Sequence, residues 1–435
     1  MGKEIISRAE TAFIMDTSRI KFGIGVTSEI GEDIKALNCD RVMVLTDPNL
    51  SGSEPVSRVL ESLKQVGIDP VLFDQVRVEP TNLSFQSAID FAQDGEFDGF
   101  VAVGGGSSMD TAKAANLYST YPSDLLTYVN QPIGQGKPVP GPVKPLIAVP
   151  TTAGTGSETT GVAIFDLLEM KAKTGIADRA LRPTLGIIDP ENTRTVPPIV
   201  AACSGLDVLS HALESLTALP YTDRPAPPSP LYRPAYQGAN PISHIWASEA
   251  IRMVAENLVS AVSDPTNVFA RGQMLLASTY AGIGFGNAGV HLPHGMSYPV
   301  AGMVSKFVPK GFPRPKDNNE PIIPHGMSVI LNAPAVFRFT ASANPDLHLL
   351  AASLMGVDVR GVSIDQAGEI LAQAIIDLMK ATGIPNGLSA VGYQPVDIPK
   401  LVNATLPQHR VTKLSPIPVD SKVLTHLFED SMVCW

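Results

Sequence analysis

Gly99-Phe-Val-Ala-Val-Gly-Gly-Gly-Ser-Ser-Met-Asp-Thr-Ala-Lys113 is the stretch on which the reading of the fold turns. Its first five residues form a short apolar run, as a buried strand does, and three glycines and a helical pattern follow. Glycine lets a backbone approach a ligand closely and adopt positive φ. Ser107 stands where it would cap the helix, with Asp110 three residues on in a variant of the capping box. Free N–H groups at such a helix start make an anion site suited to a pyrophosphate. The spacing is neither G-x-G-x-x-G nor a P-loop, so from this stretch alone a plain strand-to-helix turn stays equally open.

Upstream, Thr11–Met15 and Arg19–Gly23 read as two short strands around a turn. Arg41–Asp47 and Pro70–Asp74 read as strands, Val56–Val66 and Ser84–Gln93 as helices. Such alternation predicts parallel strands with helical crossovers, with ligands beyond the carboxyl ends of the strands. Downstream, the strand Pro145–Val149 runs into a second loop, Pro150-Thr-Thr-Ala-Gly-Thr-Gly-Ser-Glu158. Two loops rich in glycine and hydroxyl groups on one sheet favour a nucleotide site over two coincidental turns. Gly104, Gly105, Gly106, Ser107, Asp110 and Thr155 are therefore expected beside the cofactor. Asp47, at a strand end, is expected to accept hydrogen bonds from a ribose diol and to repel a 2′-phosphate, favouring NAD over NADP. Gly161–Asp166, Lys173–Ala177 and Thr184–Pro190 read as further strands, with Lys173 placed to meet the cofactor's negative charge.

Beyond Pro197 strand patterns almost vanish. Helices are predicted over Pro198–Cys203, Gly205–Thr217, Ile242–Ala261, Asn267–Ile283, Met327–Thr340, Pro345–Leu354 and Ser363–Thr382. The expected division is an α/β nucleotide-binding domain, 1–193, and a helical domain, 194–435. In the second of these helices Leu206, Leu209, Leu213 and Leu216 mark one face, and Asp207 and His211 share another. A carboxylate and an imidazole so placed make half of a site for a borderline divalent cation. His294 and His325 each lie in a Pro-His-Gly-Met-Ser string, which would supply two more imidazoles. Asp207, His211, His294 and His325 form the candidate metal set, suited to Fe²⁺ or Zn²⁺ alike.

Two inserts lack a periodic pattern, Leu219–Pro241 and Lys306–Pro321. Arg233 in the first is a candidate to grip a substrate carboxylate in bidentate fashion. A formal charge of −10 disfavours nucleic acid and anionic membrane as partners. Leu275–Val304, apolar but bearing His291, His294 and prolines, reads as a buried helix broken by a functional loop, not a membrane span. Three scattered cysteines make no disulfide framework, and the N-terminus has neither an apolar signal core nor an acid-free transit pattern. A cytoplasmic location is expected.

With these residues in place the chain resembles the iron-containing, group III alcohol dehydrogenase family. Gly-Gly-Gly-Ser-x-x-Asp-x-x-Lys (104–113), Pro-Thr-Thr-x-Gly-Thr-Gly-Ser-Glu (150–158), Asp-x-x-x-His (207–211) and both His-Gly units match in order. A narrower likeness, to the branch that passes hydride from a hydroxy acid to an oxo acid, lies in 76–81, 156–166, 233–238, 281–292 and 405–414. The resemblance implies a dehydroquinate synthase-like fold, with Fe²⁺ held by Asp207, His211, His294 and His325 in the cleft between domains. It implies NAD contacts from Asp47, the 104–107 loop, Thr151, Thr152 and Lys173. It also implies metal-dependent hydride transfer from 4-hydroxybutyrate to 2-oxoglutarate through bound NAD, in a homodimer or higher homo-oligomer. The rivals are an NAD-dependent alcohol or 4-hydroxybutyrate dehydrogenase that releases NADH, and a metal-dependent lyase or cyclase. Many relatives carry a proton-relaying histidine four residues after the third ligand. Here that position is Tyr298, and His291 is the candidate substitute.

Overall fold

Every residue of the strand Gly99–Gly104 is buried, because its neighbours along the sheet and the helices on both faces all press on it. The computed structural model describes residues 8–170, 172–313 and 320–435. Eight strands are present among them: β1 (Arg19–Phe22), β2 (Arg41–Leu45), β3 (Asp69–Phe73), β4 (Gly99–Gly104), β5 (Leu146–Pro150), β6 (Val162–Leu167), β7 (Ala172–Ala177) and β8 (Leu185–Ile188). Six form one sheet in the order β1-β8-β5-β4-β2-β3, and every pairing is parallel. The period-2 alternation of β2 sorts its side chains. Val42 and Val44 meet α1 (Ile30–Ala36) and α2 (Glu54–Gln65), while Met43 and Leu45 meet α3 (Asn82–Asp94) and α4 (Gly106–Thr120). Each fully buried Val, Leu or Ile there contributes about 1.5–3 kcal/mol. The chain leaves β2 toward one sheet edge and β4 toward the other. The switch between them opens a crevice at the carboxyl ends of β2, β4 and β5, where the two glycine-rich loops begin.

Two expected strands stand apart from the sheet. β6 and β7 pair antiparallel with each other, from Val162↔Ala177 to Leu167↔Ala172. Thr11–Met15 is not a strand. The Ile14 N–H donates to Gln237 Oε1 (2.8 Å) and the Asp16 N–H to Asn287 Oδ1 (3.0 Å), so this arm docks on the helical half.

The helical half comprises α5 (Pro198–Thr217), α6 (Pro241–Ser263), α7 (Val268–Ala288), α8 (Leu292–Gly302), α9 (His325–Ile330), α10 (Ala333–Thr340), α11 (Pro345–Leu354), α12 (Ala367–Ala381), α13 (Ile398–Thr405), α14 (His409–Thr412) and α15 (Ser421–Ser431). The helix predicted to start at Gly205 is continuous with the one before it. Gly205 lies inside α5 because its missing side chain makes room for Leu258 of α6. The helix predicted over Met327–Thr340 is instead α9 and α10, since Pro334 cannot donate to the carbonyl of Ile330. Among the described residues α5 alone is long and apolar enough to cross a membrane, and it is buried against α6, α7 and α9. Residues 314–319 of the second insert lie outside the described residues. So do residues 1–7, whose early acids bore on targeting.

Candidate active site

α5 owes its place to leucines 206, 209, 213 and 216, all fully buried, which turn Asp207 and His211 toward α8 and α9. Gly326 sets the approach of α9. A Cβ there would overlap the carbonyl oxygen of Cys203 and lie 2.8 Å from Asp207 Cβ, so only glycine lets His325 come this near. The ligand-type atoms of Asp207, His211 and His294 lie within 4.8 Å of one another. Individual separations are 3.0 Å for His294 Nε2 to His211 Nε2, 3.6 Å for His294 Nε2 to Asp207 Oδ1 and 3.8 Å for His325 Nε2 to Asp207 Oδ1. A tetrahedral ion with bonds of about 2.1 Å spaces its ligands about 3.4 Å apart. His325 stands at the open side of this group, its side chain 25% exposed.

Two observations fit a cation here. Asp207 Oδ1 and His211 Nδ1 are buried without a hydrogen-bond partner. Charge gives the second, because two buried carboxylates, Asp207 and Glu214, flank neutral-type donors. Burial by itself would raise the Asp207 carboxyl, but the imidazoles of His211, His325 and His294 hold it well below the usual range. Burial pushes His211 down to about 3, whereas Glu214 and Asp207 overcome burial and lift His294 to about 10. In the chain alone, then, a proton on His294 balances part of the acid charge. A divalent ion would replace it.

Glu214 went unnoticed in the sequence, although it is three residues beyond His211 on the same helix. Its Oε1 accepts from His294 Nδ1 at 2.6 Å, and its Oε2 accepts from the backbone N–H of His291 at 2.6 Å. By holding Nδ1–H this carboxylate aims His294 Nε2 at His211 and Asp207. Phe285 stacks on His211 with ring centroids 4.0 Å apart, shielding the group from water.

The cluster opens into a cavity of about 810 Å³ whose wall includes Glu79, Gly106, Ser107, Lys173, Tyr236, Phe285, Tyr298 and Arg410. A larger cleft of about 1620 Å³ shares Glu79 and Lys173 with it and continues along Pro48, Asn49 and Val76. α4 carries no side-chain cap, so the N–H groups of Gly106 and Ser107 are the ones placed for an anion, while that of Ser108 donates to the Gly105 carbonyl at 3.1 Å. Gly105 is the cap residue. The expected cap, Ser107, instead accepts from the Glu79 N–H at 3.2 Å. Thr151 is buried and donates its N–H to Gly104, while Thr152 and Thr155 are half-buried beside the same loop. Asp47 accepts from the Asn49 N–H at 2.9 Å, and burial raises its carboxyl.

Five of the expected site residues are engaged by partners within the chain. Asp110 has both oxygens engaged, with Ser157 Oγ at 2.7 Å and the Ile164 N–H at 2.9 Å, so it ties α4 to β6. Lys173 is buried between Glu79 at 2.7 Å and Asp166 at 3.2 Å, which cancel its charge toward a cofactor. Arg233 does grip a carboxylate with its fork, but that of Glu10, at 2.9 and 3.1 Å, away from the cavity. His291 is enclosed behind the metal cluster. Its Nε2 meets Thr217 Oγ1 at 3.0 Å, and burial lowers it to about 4. Tyr298 lines the cavity, and its hydroxyl accepts from Arg410 Nη2 at 2.7 Å.

Comparison with known proteins agrees with this geometry. The profile of iron-containing alcohol dehydrogenase matches residues 17–190, and that of the Fe-containing alcohol dehydrogenase C-terminal region matches 235–306 and 320–432. A Bos taurus protein named mitochondrial hydroxyacid-oxoacid transhydrogenase is 55% identical over 423 residues, covering 97% of this chain and 90% of its own length. The crystal structure of a 1,3-propanediol oxidoreductase superposes with a TM-score of 0.84 at 27% identity, covering 97% of this chain and all of its own. A sulfoacetaldehyde reductase from Bifidobacterium kashiwanohense in complex with NAD⁺ gives 0.78 at 25% identity, covering 97% and 98%. The relatives' mitochondrial names overturn the cytoplasmic expectation. Cys39, Cys203 and Cys434 are free and buried, which selects no single compartment.

Proposed function

Because the chain belongs to the iron-containing alcohol dehydrogenase family, and is an oxidoreductase, we propose that it is a hydroxyacid–oxoacid transhydrogenase. In this reading 4-hydroxybutyrate gives hydride to retained NAD and 2-oxoglutarate takes it back. The supporting observation is the make-up of the cavity wall. Segments 76–81, 233–238, 281–292 and 405–414 contribute Glu79, Tyr236, Phe285 and Arg410 to the space that His211, His294 and His325 border. The relatives' names support the same compartment, the mitochondrion.

In this reading Asp207, His211, His294 and His325 hold Fe²⁺, or Zn²⁺ in its place, and the 194–435 half supplies all four. The 1–193 half binds NAD, with the start of α4 and the 150–155 loop at the pyrophosphate and Asp47 at a ribose. When bound, the cation supplies Lewis acidity toward the substrate hydroxyl, and the nicotinamide supplies a two-electron hydride store. The protein orients and excludes water. Glu214 fixes His294, Phe285 and Val290 close the apolar side of the cavity, and Glu79 with Lys173 joins the metal end to the nucleotide cleft.

The test is incubation of purified protein with 4-hydroxybutyrate and 2-oxoglutarate and no added nucleotide. Equimolar succinate semialdehyde and 2-hydroxyglutarate are expected, with NAD found on the protein by native mass spectrometry. Turnover that needs added NAD and accumulates free NADH would replace this reading with an ordinary dehydrogenase.

A further inference from the structure

Arg410 is the one cation in the cavity wall that no carboxylate answers among the described residues. Lys173, the other, is held by Glu79 and Asp166. Arg410 donates from Nη2 to Tyr298, lies over the Tyr236 ring at 5.3 Å, and keeps Nη1 buried with no partner. A guanidinium taken from water without a counter-ion is costly, and a bidentate anion is the partner its fork fits. Its position is set by Tyr298, one turn beyond His294 on α8. Side chains at that spacing start about 5–6 Å apart on one helix face. Arg410, Tyr298 and the imidazoles of His211, His294 and His325 share one cavity wall.

A charged anchor in that wall suits a shared feature of the two substrates in the reading above. In 4-hydroxybutyrate two methylenes separate the carbinol carbon from the carboxylate. In 2-oxoglutarate two methylenes separate the keto carbon from the distal carboxylate. We propose that Arg410, positioned by Tyr298 and Tyr236, is the common carboxylate anchor of both half-reactions and sets this two-methylene spacing. The proposal rests on the transhydrogenase reading. It also gives Tyr298 a role as a positioning residue, where relatives with histidine are said to relay protons.

The experiment compares wild type with Arg410→Gln, Arg410→Lys and Tyr298→Phe, each with metal and nucleotide content measured. Reduction of the bound nicotinamide is followed in single turnovers with 4-hydroxybutyrate and with 1,4-butanediol, the same chain lacking the carboxylate. Binding of glutarate, a non-reacting mimic of the oxo acid, is measured by calorimetry. In Arg410→Gln, half-saturation by 4-hydroxybutyrate and the glutarate dissociation constant should both rise about 30-fold. The loss with butanediol should be smaller by about ten-fold or more. Arg410→Lys should recover part of the binding, and Tyr298→Phe should weaken glutarate without changing metal content. Equal losses on both donors, with glutarate binding intact, would overturn the anchor. A wild type that is reduced by 4-hydroxybutyrate yet passes nothing to 2-oxoglutarate would overturn the transhydrogenase reading alone, because the glutarate comparison still reports on Arg410.

Discussion

Glu214→Gln isolates the support of the metal cluster from the cluster itself. The carboxylate is fully buried, takes His294 Nδ1–H on one oxygen and the His291 N–H on the other, and both contacts are 2.6 Å. Glutamine keeps the volume but offers one acceptor and one donor group. Whichever way the amide lies, one of the two contacts becomes donor against donor. Losing a charge-assisted bond costs about 1.5–3 kcal/mol. Loss of the carboxylate behind a ligating imidazole typically weakens metal binding about 10–100-fold. The expected result is a metal dissociation constant raised within that range, read by competition against a chromophoric chelator, with the metal-free variant about 1.5–3 kcal/mol less stable in urea. A folded variant that binds metal as tightly as wild type would refute the idea that Glu214 organises His294.

Other consequences follow from single contacts. Gly326→Ala should push α9 away from Cys203 and cost about 1–3 kcal/mol, with metal content falling together with stability. Arg233→Met should leave KM for the oxo acid unchanged while lowering Tm, since its fork holds Glu10; a raised KM would restore it to the substrate site. Glu10 is depressed to about 2, chiefly by the hydrogen bond from Arg233. A depressed carboxyl stabilises the fold above its unfolded pKa of about 4.3 and loses that contribution as pH falls toward 2. The stability gap between wild type and Glu10→Gln should therefore narrow between about pH 4.5 and 2, and a gap independent of pH would contradict the pairing. Chelation should lower Tm, and Fe²⁺ or Zn²⁺ should restore it, with no such shift in His211→Ala.

The sheet was legible because its strands are buried on both faces. Val42–Leu45 and Phe100–Val103 are unbroken apolar runs that stop at a polar or glycine residue, as strands under helices on both sides must. β6 opens with the same signal, Val162–Phe165, and yet leaves the sheet to pair with β7, since an apolar run reports burial and not its neighbour. The clustering of the four candidate metal residues was legible for a different reason. Asp207 and His211 are a local pair on one helix, and the repeated His-Gly unit marks two close approaches to it. Glu214 lay in the same helix but reads, from sequence, like any helix glutamate until His294 is brought against it.

The two arginines show where such reading stops. Arg233 and Arg410 both sit in segments shared with the transhydrogenase branch, and each has a fork that fits a carboxylate. What separates them is whether the chain supplies that carboxylate. Arg233 receives Glu10 from 223 positions away, whereas among the described residues Arg410 receives no carboxylate but the Tyr298 hydroxyl, 112 positions away, and an aromatic face. No local pattern encodes either distance. Among the described residues the fold supplies a carboxylate to Arg233 and none to Arg410, which is why Arg410 and not Arg233 is the proposed substrate anchor.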